Sequence, residues 1–137
     1  MRVLAFHLLN NYTGSPKVLS HLIKIWRNEG FDVHITTSLK NEGFLSKISG
    51  ITYHTNFYKF YNNLLFRFIS LFLSQTIVFF RLLFLVKPTD IIYINTILPF
   101  SAAFAGKIKR CRVIYHLHET STRPFILKRF LMWILRI

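Results

Sequence analysis

The sequence predicts an α/β fold built on an open, doubly wound parallel sheet. Short apolar runs alternate with segments of helical periodicity, as they do where each strand is followed by a crossover helix. The first strand, helix and second strand fit within residues 2–37, which is the length of one βαβ unit with a right-handed crossover. Residues 1–137 would form a single domain.

The first βαβ unit has the clearest signals. Residues 2–9 are almost continuously apolar, as in a strand that is buried on both faces. Ser15 and Pro16 predict the N-cap and the first position of a helix that ends before Gly30. Residues 31–37 then predict the second strand.

Three further strands are expected, at residues 51–55, 91–95 and 112–117. Helices should cover residues 99–109 and 124–136, each with a proline near its start. Because the alternation of the first unit continues, all five strands should be parallel and should belong to one sheet.

The segment 57–86 is more apolar than one face of a sheet can cover. Its charges between residues 64 and 86 are Arg67 and Arg81, and its longest uncharged run, 68–80, is shorter than the ~18 residues of a membrane span. Three interpretations stay open: a packed crossover helix, a helix lying in a membrane interface, and a span. The side chains expected to face lipid are Phe68, Phe72, Phe79, Phe80, Arg67 and Arg81.

Composition narrows the function classes. An apolar share of 52% with 15 Phe excludes disorder, and a single cysteine, Cys111, excludes an intrachain disulfide framework. The formal net charge of +13 indicates an anionic partner, with the basic residues concentrated in 106–137. No nucleic-acid-binding motif is visible, so an anionic membrane surface is the favoured partner. No secretory signal is visible either, which favours the cytoplasmic side of that membrane.

The loop after the first strand is the first candidate site. It ends at a helix N-terminus, where Gly14, Ser15 and Lys17 would suit a phosphate through free amides, the helix dipole and a lysine charge. An ordinary capped turn without a ligand is the alternative. The G-x-G-x-x-G pattern is absent, which argues against a dinucleotide.

Two more candidate segments follow later strands. Asn95 and Thr96 end the fourth strand, where they would either meet a sugar or phosphate or form a helix-entry turn. His118 and Glu119 follow the fifth strand, and they would either face a substrate or belong to a structural pair with His116. No further ligand cluster supports a metal. The remaining histidines are expected to be structural or solvent-facing: His7, His21, His34 and His54.

Taken in order, these segments resemble the N-terminal half of GT-B glycosyltransferases, specifically the retaining family-four type. The segments that carry the resemblance are residues 2–9, 12–19, 30–37, 90–96 and 113–119. The resemblance implies a Rossmann-like, acceptor-side domain. It also implies that His118 is the catalytic histidine facing the transferred sugar, and that Glu119 stands where the family has an acidic residue. Of the two glycines common in the family's first loop, Gly14 is the one present.

The resemblance further implies a nucleotide-sugar donor as co-substrate, no tightly bound cofactor and no metal. The donor-binding half of such enzymes carries a Glu-x7-Glu pattern, which residues 1–137 lack. We therefore expect an incomplete N-terminal domain that is inactive alone. The complete enzyme would transfer a sugar to a lipid-linked or cell-surface polysaccharide acceptor at the inner face of the membrane. The alternatives are a non-enzymatic binding module that docks on a partner chain and a basic nucleic-acid-binding protein.

Overall fold

A computed structural model of the chain describes residues 1–38, 42–46 and 48–117, together with positions 129 and 133, which are helical. The strands in the described part are β1 (Arg2–Leu9), β2 (Asp32–Ser38), β3 (Thr52–Thr55), β4 (Ile91–Asn95) and β5 (Arg112–His116). The helices are α1 (Gly14–Asn28), α2 (Leu64–Leu85) and α3 (Phe100–Ile108). The predicted α/β fold is confirmed, whereas the helix expected at 124–136 lies outside the described residues apart from those two positions.

The five strands form one parallel sheet in the order β3-β2-β1-β4-β5. β1 lies in the centre, where Val3 pairs with Val33 of β2 on one side and with Ile91 of β4 on the other. The direction of winding reverses between β1 and β4. This is the strand order of a Rossmann-like fold, and the reversal places a crevice beyond the carboxyl ends of these two strands.

The central strand packs on both faces. Val3 and Ala5 lie in a core cluster with α1, whereas Leu4 and Phe6 lie in a second cluster with α2 and α3. Because successive side chains of a strand point to opposite faces, a doubly covered strand needs apolar residues at every position. This accounts for the nearly continuous apolar run, and it confirms that the sheet is doubly wound.

The start of α1 differs from the prediction. Thr13, rather than Ser15, is the N-cap, and Ser15 lies inside the first turn. The side chain of Asn11 accepts hydrogen bonds from the backbone N–H and the hydroxyl of Thr13, and this turn sets the helix start earlier. Pro16 fits the first turn because a residue there needs no backbone donor within the helix.

α2 is a crossover helix that packs on the sheet. Asn63 caps it by accepting hydrogen bonds from the backbone N–H groups of Leu65 and Phe66. Its inner side buries five residues against the sheet and α3: Leu71, Ser74, Gln75, Val78 and Leu82. By length and composition alone, this helix of 22 residues could also cross a membrane. Its 18-residue apolar window has a mean hydropathy of 2.0, and 28% of that window is buried inside the protein.

The opposite side of α2 is exposed. We call this surface the outer face of α2; it consists of Leu65, Phe66, Ile69, Phe72, Leu73, Ile77, Phe80 and Phe84. These positions share one half of the helix circumference, at about 100° per residue. Phe84 is 89% exposed. A contiguous apolar surface of this kind on a monomer marks an interaction site.

Candidate functional site

The crevice at the carboxyl edge of the sheet is formed by two loops. One loop joins β1 to α1, and the other joins β4 to α3. Ligands of open α/β sheets bind at this point because the two crossovers leave in opposite directions and their loops separate.

Asn95 connects the two loops. It is fully buried, and its side-chain Nδ2 donates to the hydroxyl of Ser15 over 2.9 Å and to the Ser15 carbonyl over 3.2 Å. The Nδ1 atom of His7 lies 3.0 Å from the Asn95 carbonyl oxygen. The same Nδ1 atom also lies 3.3 Å from Asn95 Nδ2, and the imidazole tautomer decides which of the two contacts is a hydrogen bond. The structure thus brings together Ser15 and Asn95, two of the residues predicted for the site.

Thr96 adopts a strained backbone conformation beside this contact. Its φ of 88° lies in the left-handed region, which a β-branched residue rarely occupies and which costs about 1–3 kcal/mol. The backbone N–H of Thr96 donates to the carbonyl of His116 over 3.0 Å, which ties the turn to the end of β5. Thr96 itself is buried, with 6% of its surface exposed.

Gly14 is the first residue of α1 and is exposed where the loop after β1 ends. A Cβ added at Gly14 would meet no atom within 4 Å, so the space beside the first turn of α1 is free in the described structure. Lys17 is exposed in the same turn, and its Nζ lies 5.9 Å from the centre of the Phe44 ring. This places one cation and the positive end of the α1 dipole on the same side of the crevice.

The segment 42–46 covers the loop after β1, which the sequence did not indicate. Asn10 is fully buried, its Oδ1 accepts from the backbone N–H of Leu45 at 3.0 Å, and its Nδ2 donates to the hydroxyl of Ser46 at 2.8 Å. A Cβ at Gly43 would lie 2.3 Å from Asn10 Oδ1 and 2.4 Å from the backbone nitrogen of Asn11. The absence of a side chain at Gly43 therefore allows the two loops to pack together.

His7 and Asn10 are the site residues that sequence reasoning missed. A polar residue inside a strand that is otherwise apolar, as His7 is, was the available signal, because a buried polar group needs a partner. The partner itself lies 88 residues away and could not be read from the sequence.

Tyr93 and His116 form a second polar contact along the same face of the sheet. Burial raises the pKa of Tyr93 to about 12, and the Tyr93 hydroxyl lies within hydrogen-bond distance of His116 Nδ1. Trp26 of α1 packs edge-on against the Tyr93 ring at 4.9 Å. His118 and Glu119, the predicted catalytic histidine and its acidic neighbour, lie outside the described residues.

The described residues contain no group of three or more His, Cys, Asp and Glu side chains placed to hold a metal ion. The histidine pair away from the crevice is His34 and His54, whose ring nitrogens lie 3.0 Å apart on neighbouring strands. His34 Nε2 also lies 3.2 Å from a carboxylate oxygen of Asp32. Burial and the neighbouring His34 lower the pKa of His54, which favours its neutral form.

The six side chains predicted to face lipid occupy different environments. Phe72, Phe80 and Arg81 are exposed, and the two phenylalanines belong to the outer face of α2. Phe68, Phe79 and Arg67 are half-buried. Phe79 packs beside a core cluster, and the Arg67 guanidinium stacks 4.9 Å from the centre of the Phe60 ring.

Comparison with known proteins adds no relative to this picture. No protein-family model matches the chain, and no curated protein matches it.

Proposed function

We propose that this chain is the acceptor-side, Rossmann-like domain of a GT-B glycosyltransferase that works at the cytoplasmic surface of a membrane. The observation that carries the proposal is the meeting of three strand ends at one edge of the sheet. β1, β4 and β5 end side by side, and each leads into one of the polar segments of the glycosyltransferase resemblance.

In this proposal the acceptor enters the crevice beside Gly14. The first-turn amides of α1, the helix dipole and Lys17 would attract an anionic group of the acceptor, such as a phosphate. Asn95 acts as a positioning residue, because its amide holds Ser15 and so keeps the two crevice loops at a fixed separation. His118 and Glu119 would contact the transferred sugar, as the resemblance implies.

The membrane part of the proposal rests on α2 and on charge. The outer face of α2 exposes eight large apolar side chains, which a membrane interface would cover. The net charge of +13 favours binding to an anionic leaflet. Each basic residue near the membrane surface contributes about 1 kcal/mol to the binding free energy. A membrane-bound domain would meet a lipid-linked acceptor at the depth of its headgroup.

The proposal divides the reaction between two halves. The donor, a nucleotide-sugar, would be held by a separate domain or partner chain, and the chemistry would need no metal. These 137 residues are then expected to bind acceptor without transferring sugar.

A flotation experiment tests the proposal with the chain as it exists. Vesicles with anionic lipid should retain the chain more strongly than neutral vesicles, and a polyisoprenyl diphosphate sugar in neutral vesicles should add a further increase. Substitution of Gly14 by Trp should remove that further increase without changing retention by anionic lipid, because the indole would fill the open space of the crevice. Equal retention by anionic and neutral vesicles would contradict the membrane part of the proposal. Turnover of a nucleotide-sugar by this chain alone would contradict the division of the reaction between two halves.

A further inference from the structure

A polar pocket lies between the C-terminal half of α1 and the facing residues 44–46 and 48–49. Its volume is about 330 Å³, at the small end of the roughly 300–1,000 Å³ that small-molecule sites occupy. Its wall includes Lys24, Arg27 and Asn28 from α1, and Phe44, Ser46 and Ile48 from the facing segment. No carboxylate is among the described residues that line it, so the charge of its wall is positive.

The guanidinium of Arg27 is held in place at this wall. Its Nη1 atom donates to the carbonyl of Ser49 over 2.6 Å and to the Ser49 hydroxyl over 2.9 Å. The next residue along this segment, Gly50, has a φ of 73°, and a Cβ there would lie 3.1 Å from Cδ of Arg27. A guanidinium carries five N–H donors, so the Nε and Nη2 groups of Arg27 are left to bind a ligand.

Lys24 lies one turn before Arg27 on the same side of α1. Neither side chain forms an ion pair with another residue in the described part of the chain. Two positive charges side by side repel each other, and an anion between them would relieve that repulsion. The pocket therefore favours a negatively charged ligand.

Ser46 supplies a third donor. Its Oγ accepts hydrogen bonds from Nδ2 of Asn10 at 2.8 Å and from the backbone N–H of Gly43 at 3.2 Å. A serine hydroxyl has two acceptor lone pairs and one proton, so these two bonds leave only the proton to donate. That proton has no acceptor within the described structure, and Ser46 lines the pocket. The ligand that fits three such donors is an oxyanion.

The number of donors indicates which oxyanion fits best. A phosphate ester presents three strong acceptor oxygens, one for each of Lys24, Arg27 and Ser46, whereas a carboxylate has two oxygens. The side chains of Phe44 and Ile48 add an apolar part to the wall, against which the organic group of an ester would pack.

The position of the pocket separates it from the other surfaces of the molecule. α1 and α2 cover opposite faces of the sheet, so a membrane that contacts the outer face of α2 lies on the far side from this pocket. Along α1, Lys24 is seven residues from Lys17 of the crevice, a distance of about 10 Å. A water-soluble ligand is therefore favoured over a lipid headgroup.

We propose that the pocket between α1 and residues 44–49 binds a small, water-soluble phosphate ester. Its phosphate accepts hydrogen bonds from Lys24, Arg27 and Ser46, and its organic part packs against Phe44. The site uses neither the crevice nor the outer face of α2, so a chain that binds no glycosyl acceptor would leave it standing.

Isothermal titration of the full chain with ribose 5-phosphate and with ribose tests the role of the phosphate. Ribose 5-phosphate should bind at least tenfold more tightly than ribose, as expected for hydrogen bonds from charged donors. Equal affinities for the two compounds, or no detectable binding of either, overturn the proposal.

Charge-matched variants test the position of the site. Lys24→Gln and Arg27→Gln should each weaken binding of ribose 5-phosphate about tenfold. Lys24 is exposed and makes no hydrogen bond within the described residues, so its variant keeps the fold even if Arg27→Gln disturbs Ser49. Lys107→Gln removes the same charge from an exposed position of α3 and should leave the affinity unchanged. Equal weakening in Lys24→Gln and Lys107→Gln overturns the proposal, since net charge alone would then explain binding.

Vesicles that contain phosphatidic acid distinguish a lipid phosphate from a soluble one. Lys24→Gln and Lys107→Gln should be retained equally by these vesicles, and ribose 5-phosphate should not release the unsubstituted chain from them. A selective loss of retention in Lys24→Gln assigns the pocket to a lipid headgroup and overturns the proposal.

Discussion

The side-chain amide of Asn95 donates to the hydroxyl of Ser15 over 2.9 Å, and this bond joins the end of β4 to the first turn of α1. The two residues are 80 positions apart in the sequence, and Asn95 is fully buried. The loops cannot separate without breaking this bond and the bond to the Ser15 carbonyl. The spacing of the two crevice loops therefore depends on a bond made by a buried side chain rather than on contacts between exposed loop residues.

Removing this bond should lower stability. Asn95→Ala should cost about 2 kcal/mol in the free energy of unfolding and Ser15→Ala about 1 kcal/mol, since the first removes the bonds to both the hydroxyl and the carbonyl of Ser15. The double variant should cost less than the sum, because both substitutions remove the same bond. Urea denaturation measures all three, with Asn62→Ala in an exposed position as the control. Strictly additive costs would show that the two side chains are not coupled.

Two glycines beside the crevice should respond differently to the same added methyl group. Gly43→Ala should destabilise the chain by about 1–3 kcal/mol, because the new Cβ would collide with Asn10 and with the backbone of Asn11. Gly14→Ala meets open space and should leave stability unchanged or slightly higher. Thermal or urea unfolding of the two variants checks this, and an equal loss in both would refute the packing of segment 42–46 on the loop.

The outer face of α2 should drive membrane binding. Each phenylalanine contributes about 1.5–3 kcal/mol when it is fully buried, so Phe80→Ser with Phe84→Ser should weaken partitioning into anionic vesicles at least tenfold. Both side chains are exposed, so the free energy of unfolding should change little. Ile25→Ser removes an exposed apolar residue of α1 and serves as the control. Equal flotation of the double variant and the control would exclude α2 as the membrane contact.

The Arg2–Asp90 ion pair should make stability depend on pH. The charged atoms approach to 2.5 Å at the amino-terminal edge of the sheet, and Arg2 also donates to the Leu85 carbonyl at 2.9 Å. Burial pushes the pKa of Asp90 upward, but hydrogen bonds from Arg2 and the backbone of Lys87 outweigh it, so the pKa lies below its ordinary value.

Because the pKa of Asp90 is lower in the folded than in the unfolded protein, the ionised carboxylate stabilises the fold above about pH 4, the pKa of the unfolded protein. This stabilisation is lost as the pH falls through the pKa of Asp90 in the folded protein. Asp90→Asn should therefore cost about 3 kcal/mol at neutral pH and should flatten the loss of stability below about pH 4. Asp32→Asn, at an exposed carboxylate, should change the free energy of unfolding by less than about 0.5 kcal/mol. Denaturation curves from pH 2 to pH 7 measure both, and an unaltered acid limb in Asp90→Asn would refute the assignment.

The sequence was sufficient to predict the sheet and its winding. Strand ends differ from the prediction by one residue at three strands: β2 is Asp32–Ser38, β3 begins at Thr52, and β5 ends at His116. Apolar periodicity accounts for this success, because strands covered on both faces leave a strong local pattern. The start of α1 was placed too late because the turn made by Asn11 competes with the Ser-Pro signal.

The contacts of the crevice could not be predicted in the same way. His7 and Asn10 each depend on a partner that chain folding brings from 35 or more residues away. The backbone N–H of Thr96 likewise bonds to the carbonyl of His116 on the neighbouring strand, and no local residue pattern predicts that contact. The side of α2 that faces the sheet also became known only from packing, since the polar Ser74 is buried against the protein.

The central position of β1 affects how the chain folds during its synthesis. Val3 is synthesised 88 residues before its partner Ile91. At a synthesis rate of about 5–20 residues per second, one edge of the first strand waits on the order of 4–18 s for its neighbour. The apolar α2 leaves the ribosome during that interval, before α3 can cover its inner side. Early capture of α2 by a lipid surface would protect the nascent chain from aggregation while the sheet is still half built.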